Sequence, residues 1–188
     1  MKTAFIIFED MTMLDFVGAY DALIRLKTMS FVETFEWDIC AFTEEVSDGR
    51  GLSVRPTKIR PSLSGYDLLV VPGGFGTLAL MKDEPFLNWL GTFSFSKGIA
   101  ASVCTGALLL GSLGILKAKK ATTHRSAFDR LKPLCREVID ARVVDEGAVV
   151  TARGVSSSID LGLHLCARIA GPDIARKISA QMDYERRA

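Results

Sequence analysis

A cysteine stands where one apolar run turns into another. In Ala100-Ala101-Ser102-Val103-Cys104-Thr105-Gly106 the thiol falls between a β-like stretch and a helical one, with the small residues Ser102 and Gly106 two positions to either side. This is the spacing of a nucleophile elbow: small flanking residues let strand and helix approach closely while the turn residue is pushed into the cleft. At a helix N-terminus the sulfur faces unpaired N–H groups and the positive end of the helix dipole, which would hold its pKa below the free value of about 8.5. A free cysteine is more often a small buried hydrophobe; here the position favours a reactive thiol.

Pro72-Gly73-Gly74-Phe75-Gly76 closes the neighbouring apolar run Leu68 to Val71. The N–H of Gly74, paired with that of Thr105, would form a two-donor oxyanion hole beside the sulfur. A tight turn without any ligand fits the same residues. Gly74-x-Gly76-x-x-Ala79 also matches a loose dinucleotide fingerprint. It follows an internal strand, however, and no acidic residue ends the next one, so no nicotinamide cofactor is expected.

Asp15, between Leu14 and Phe16, has two readings. With Thr12 it has the capping-box spacing of a helix start. Held near Cys104 it would be a general acid/base, a role for which Glu9 and Asp10 compete. His124, in Thr122-Thr123-His124-Arg125, is one of two histidines and is a possible base for Cys104. The other, His164, lies on an apolar helical face and reads as a satisfied core or interface residue. Cys40, Cys135 and Cys166 sit in a strand, after a helix and on an apolar helix face, and read as structural. No CxxC or His/Cys ligand spacing occurs, so neither a metal nor an organic cofactor is expected.

The elements that must position these residues alternate in type. Strands are predicted at Lys2 to Phe8, Phe35 to Phe42, Leu68 to Val71, Ile99 to Val103, Ala121 to Thr123, Arg142 to Val144 and Ala148 to Ala152. A short hairpin at the sheet's edge is predicted over Gly49 to Ile59. Helices are predicted at Leu14 to Leu26, Thr77 to Met81, Pro85 to Phe93, Thr105 to Leu113, Ser126 to Leu134, Ser157 to Ile169 and Pro172 to Tyr184. The helix from Ser157 carries a Ser157/Asp160 capping box, and the last has Pro at its first turn. Such alternation argues for a doubly wound α/β sandwich with a mostly parallel sheet, whose ligands bind beyond the carboxyl ends of the strands. Asp15, Gly74 and Cys104 all follow such ends.

Composition sets the outer bounds. With 188 residues, 48% of them hydrophobic and 24% charged, the chain is expected to form one globular domain spanning 1–188. A formal net charge of +1 argues against nucleic acid as a partner, and the short basic stretch Lys117, Lys119 and Lys120 reads as a solvated rim. The N-terminus lacks the apolar region of a signal peptide, and no run approaches the ~18 apolar residues of a membrane span. A cytoplasmic protein with reduced thiols is expected.

The motifs together resemble the ThiJ/PfpI superfamily, within the class I glutamine amidotransferase-like fold. They are Leu14-Asp15-Phe16-Val17-Gly18, Val71-Pro72-Gly73-Gly74, Ser102-Val103-Cys104-Thr105-Gly106-Ala107-Leu108-Leu109-Leu110-Gly111 and Ala121-Thr122-Thr123-His124. With Ser156-Ser157-Ser158-Ile159-Asp160 and Gln181-Met182-Asp183-Tyr184-Glu185, the chain is most similar to the isocyanide hydratase branch and to the sensor domains of AraC-type regulators. The resemblance implies a flavodoxin-like sandwich, Cys104 as nucleophile, Asp15 as the acid contacting it, and Thr105 beside it. The protease-like branch carries a His directly after the Cys; Thr105 stands there, which disfavours peptidase activity. The branch usually has Trp after Thr-Thr-His, where this chain has Arg125, and isocyanide hydratases often run past the Asp-Tyr-Glu stretch, where this chain ends at Ala188.

By this analogy the reaction converts an isocyanide and water to an N-substituted formamide through a thioimidate on Cys104, with Asp15 moving protons and backbone N–H groups near Gly74 and Thr105 orienting the reacting atoms. The partner is then a small-molecule electrophile, and the resemblance implies a homodimer. Two other readings stand beside it: a stand-alone ligand or redox sensor of the same fold, and a deglycase- or glyoxalase-like activity on reactive aldehydes.

Overall fold

Apolar runs of four or five residues, too short for a stable helix, pair side by side and are covered on both faces. The computed structural model describes residues 1–185. Along the chain, β1 (Lys2–Ile6) leads into α1 (Met13–Thr28), followed by β2 (Glu36–Ala41), β3 (Val46–Ser47), β4 (Ser53–Val54) and β5 (Lys58–Ile59). Then come β6 (Leu68–Val71), α2 (Thr77–Leu80), α3 (Glu84–Leu90), β7 (Ile99–Val103) and α4 (Gly106–Ser112). Last are β8 (Lys120–Ala121), α5 (Phe128–Leu131), β9 (Glu137–Val138), β10 (Val143–Asp145), β11 (Val149–Ala152), α6 (Ser157–Ala170) and α7 (Pro172–Gln181).

The main sheet has seven strands in the order β10-β11-β7-β6-β1-β2-β5. Every pairing in it is parallel except that of β10 with β11. This is the doubly wound α/β fold. Phe5 pairs with Val70 and Val71 with Ser102, so β1, β6 and β7 run level and their carboxyl ends lie side by side. The segments leaving those ends carry Thr12 and Asp15, the Pro72–Gly76 loop, and Cys104.

α1 is set by a seam of small residues. A Cβ on Gly18 would lie 2.1 Å from Ser158 Oγ, and one on Gly162 would lie 2.6 Å from the Ala22 Cβ. Side chains at either site would hold α1 and α6 apart. Their absence lets α1 settle on α6 with Asp15 at its first turn buried.

Several local expectations differ from the structure. The Thr12 side chain caps nothing, because Asp15 is drawn into the interior by a backbone N–H of another segment. The Ser157/Asp160 box is likewise absent: Arg142 Nε (2.6 Å) and the Tyr184 hydroxyl (3.0 Å) both donate to the Asp160 carboxylate. The hairpin is β3 with β4, in a sheet of its own, and the edge of the main sheet is β5, parallel to β2. The strand expected at Ala121 to Thr123 is β8, which pairs with the unforeseen β9 outside the main sheet. The helix expected over Ser126 to Leu134 breaks into 3₁₀ turns flanking α5. Pro133 has no N–H to continue the α-helical hydrogen-bond ladder. The last helix ends at Gln181. Among the described residues no helix is long and apolar enough to cross a membrane.

Candidate active site

Cys104 closes β7 in the left-handed region, at φ 54°, a conformation that costs a non-glycine residue about 1–2 kcal/mol. Two hydrogen bonds hold it there. Its N–H donates to Ala152 O at 3.0 Å, and its carbonyl accepts from the Thr123 hydroxyl at 2.7 Å. Gly106, opening α4, makes the sharp turn possible: a Cβ there would stand 2.4 Å from the Val71 carbonyl oxygen. The thiol is 6% exposed, at the bottom of a cleft.

The Asp15 carboxyl is completely buried against that sulfur. Gly73 N–H donates to its Oδ2 at 3.0 Å. Burial pushes the Asp15 pKa up to about 7, against the opposing effects of the Gly73 N–H and the Cys104 thiol. A group titrating there exchanges protons readily near neutrality. The thiol does not behave as its place before a helix implied. Burial first, and then the negative charge of Asp15, push it up to about 12, while the Thr105 N–H and hydroxyl pull it down. Desolvation outweighs the terminus of a seven-residue helix. When Asp15 is protonated, the repulsion between the pair vanishes and the carboxyl becomes a donor.

The Gly73-Gly74 loop is packed so closely that only glycine fits at its first position. A Cβ on Gly73 would lie 2.5 Å from Thr105 N and 2.8 Å from Cys104 Cβ. Gly74 is not a free donor as expected. Its N–H donates to Thr105 Oγ1 at 2.9 Å, and the same hydroxyl donates to Gly74 O at 3.1 Å. Thr105 therefore clasps the loop, and of the two expected N–H groups only its own reaches the sulfur.

The cleft over Cys104 has a volume of about 410 Å³. Phe75, Leu78, Ala127 and Val155 supply apolar wall, while Thr12, Thr77, Thr105 and Ser126 supply hydroxyls. His124 lines this cleft too, but its Nδ1 accepts the Ser126 N–H at 3.3 Å and lies 2.8 Å from the Ser126 hydroxyl. An Nδ1 that accepts leaves the proton of neutral imidazole on Nε2, so the ring can offer the cleft a donor. Among the described residues no hydrogen bond joins His124 to Cys104. Glu9 and Asp10 line a different cavity, behind the Gly76 loop, and Glu9 accepts the Ser47 N–H at 3.1 Å. Arg125 is paired with Asp140 at 2.9 Å and is not part of the cleft wall. His164 bonds Asp145 at 2.7 Å, at the edge of the sheet.

Of the remaining thiols, Cys40 and Cys166 are buried against the Tyr66 hydroxyl and the Ala22 carbonyl. Two contributors escaped the sequence reading. Thr123 reads in the sequence as part of a strand and of the Ala121-Thr122-Thr123-His124 motif, with nothing to mark its hydroxyl as the partner of the Cys104 carbonyl. Arg130, a cleft residue, sits in an ordinary helical pattern and gave no signal. No grouping of three or more His, Cys, Asp or Glu side chains able to hold a metal occurs among the described residues.

A left-handed cysteine at a strand-to-helix turn, with a buried carboxyl beside it at the carboxyl edge of a parallel sheet, defines a class of small α/β proteins with a thiol-centred cleft. The chain belongs to the DJ-1/PfpI family, whose model matches residues 1–168. It is 33% identical over 184 residues to the isonitrile hydratase of Pseudomonas putida, covering 98% of this chain and 78% of that protein. It is 27% identical over 180 residues to the HTH-type transcriptional regulator CdhR of Pseudomonas aeruginosa, covering 94% of this chain but only 53% of the regulator. Among solved structures, a ThiJ/PfpI family protein from Pseudomonas syringae superposes with a TM-score of 0.87 at 28% identity, covering 100% of this chain and 76% of that one.

Proposed function

We propose that this protein is a cysteine-dependent enzyme that adds water to an isocyanide, giving an N-substituted formamide. The observation that carries the reading is the pairing of Asp15 with Cys104, the carboxyl fixed by Gly73 N–H at 3.0 Å. The similarity to an isonitrile hydratase over nearly the whole chain supports it.

The chemistry uses one proton carrier throughout. Asp15 takes the thiol proton as Cys104 Sγ bonds to the terminal isocyanide carbon, and then gives that proton to the same carbon, leaving a thioimidate. Water adds to the thioimidate carbon while Asp15 accepts a water proton and delivers it to the nitrogen. The carbon–sulfur bond then breaks, Asp15 moves the hydroxyl proton to sulfur, and formamide and free thiol emerge. A carboxyl titrating near 7 suits a group that must gain and lose a proton in turn. The Thr105 N–H steadies the charge on sulfur.

The sensor reading stands as the alternative and calls for a sulfenic or sulfinic acid on Cys104 at low peroxide without turnover of any electrophile. The test is the disappearance of an aryl isocyanide, followed by absorbance, with wild-type protein and Cys104→Ala in parallel. Turnover lost in the variant is expected; equal rates in both would sink the reading. Consumption of methylglyoxal in place of isocyanide would move it to the aldehyde chemistry.

A further inference from the structure

The cleft wall is unbalanced in charge. Arg130 lines it, and neither Asp nor Glu does, since Asp15 lies behind the sulfur and Glu9 and Asp10 face another cavity. The surrounding cations are otherwise engaged: Arg125 and Arg153 share Asp140, Lys132 pairs with Asp129, and Arg142 with Asp160. Arg130 has no ion pair or hydrogen bond among the described residues. The same cleft shows the apolar surfaces of Ala127 and Val155 beside the guanidinium and the thiol. An unpaired guanidinium at the rim of an apolar cleft is a donor fork without an acceptor.

We infer that Arg130 selects the substrate, which carries a carboxylate separated by an apolar spacer from the electrophilic carbon attacked by Cys104. A carboxylate matches the fork because two parallel N–H···O bonds satisfy one monoanion, whereas a phosphate dianion ordinarily draws on several cations. The apolar wall holds the spacer, and the absence of any acidic lining removes a repulsive partner. For the turnover step this rests on the hydration proposed above, but the charge selectivity at the thiol does not.

Two probes separate those claims. 4-(Iodoacetamido)benzoate and iodoacetanilide both alkylate Cys104, sulfur displacing iodide, and differ in whether a carboxylate stands across the aryl spacer; the rates are read at the Cys104 peptide by mass spectrometry. Arg130→Gln is expected to lower the carboxylate-to-neutral rate ratio about fivefold, Arg130→Lys much less, and high salt is expected to shrink the wild-type ratio. In the second arm, 4-isocyanobenzoate is compared with phenyl isocyanide, and wild-type kcat/KM is expected to favour the carboxylate by about tenfold, a preference lost in Arg130→Gln. An unchanged alkylation ratio in Arg130→Gln overturns the assignment. A lowered alkylation ratio with neither isocyanide consumed supports the assignment and overturns the hydration reading.

Discussion

Asp15 and Cys104 meet although one opens the first helix and the other follows a strand near the middle of the chain, and the Gly73 N–H donates to the same carboxyl. The pair is buried, so each charged form is costly, and the charge of Asp15 further holds back that of Cys104 while the thiol's hydrogen bond partly offsets the cost for Asp15. Function and stability are therefore opposed at this point.

A pH-dependent stability cost follows. The native Asp15 titrates near 7 against an ordinary aspartate value of 3.8, so between those values the folded state binds more protons than the unfolded chain and stability falls as pH rises. Above about 7 the loss is complete, on the order of a few kcal/mol. Asp15→Asn keeps an acceptor for Gly73 N–H but cannot ionise. Urea unfolding at a series of pH values is expected to show the variant gaining on wild type from pH 4 to 7, while its turnover falls at least about 100-fold. A constant difference across that range would refute the titration.

The same substitution reports on the thiol. The Asp15 charge holds the Cys104 thiol up, so Asp15→Asn is expected to move the thiol titration down, measured as thiolate absorbance against pH. An upward shift would mean that Asp15 is protonated at rest and donates to the thiolate.

Thr105 ties the two loops together through its hydroxyl, which both accepts from and donates to Gly74. Thr105→Val keeps the shape and leaves both backbone groups of Gly74 without this partner, at a cost of about 1–3 kcal/mol. Thr105→Ser should recover most of the stability. Thermal unfolding of the two variants checks this; equal loss in both would assign the effect to the methyl group.

The seam between α1 and α6 tolerates no added carbon. Gly18→Ala places a Cβ 2.1 Å from Ser158 Oγ, well inside van der Waals contact, and a destabilisation of about 1–3 kcal/mol is expected despite the gain in helix propensity. Combining it with Ser158→Gly should restore part of the loss in a double-mutant cycle.

Leu14 and Val17 are 46% and 43% exposed on one side of α1, next to the cleft residue Thr12. Exposed side chains of this kind suit a second copy of the chain. A dimer mass by light scattering in wild type, and a monomer mass in Leu14→Lys/Val17→Lys, is the expected result; a monomer in both removes the homodimer.

Much of the architecture was legible because it rests on local signals. The runs Leu68 to Val71 and Ile99 to Val103 are short and apolar and end at Pro72-Gly73 and at Cys104, and each became a central parallel strand. Cys104 stood out for the same reason, whereas local spacing left Asp15 with two readings and its pairing with the thiol was implied only by the resemblance. The hydrogen bonds among them were not legible. Thr12 with Asp15, and Ser157 with Asp160, have the spacing of caps, but Gly73 N–H and Arg142 reach those carboxylates from other segments, and long-range partners leave no trace in local spacing. Gly74 misled in the same way, since its N–H was accounted for by a side chain from the next crossover.

Burial of the elbow has a meaning for the life of the protein as well as for its chemistry. Before β6 and β7 pair, Cys104 is an ordinary thiol in an open chain, ionising near the unperturbed value of 9.0. Folding withdraws it into a cleft and lifts its titration, so the folded protein's sulfur meets adventitious oxidants more slowly than the open chain's does. The newly made or heat-loosened chain lacks that protection, and damage at this position should record how often the protein has opened.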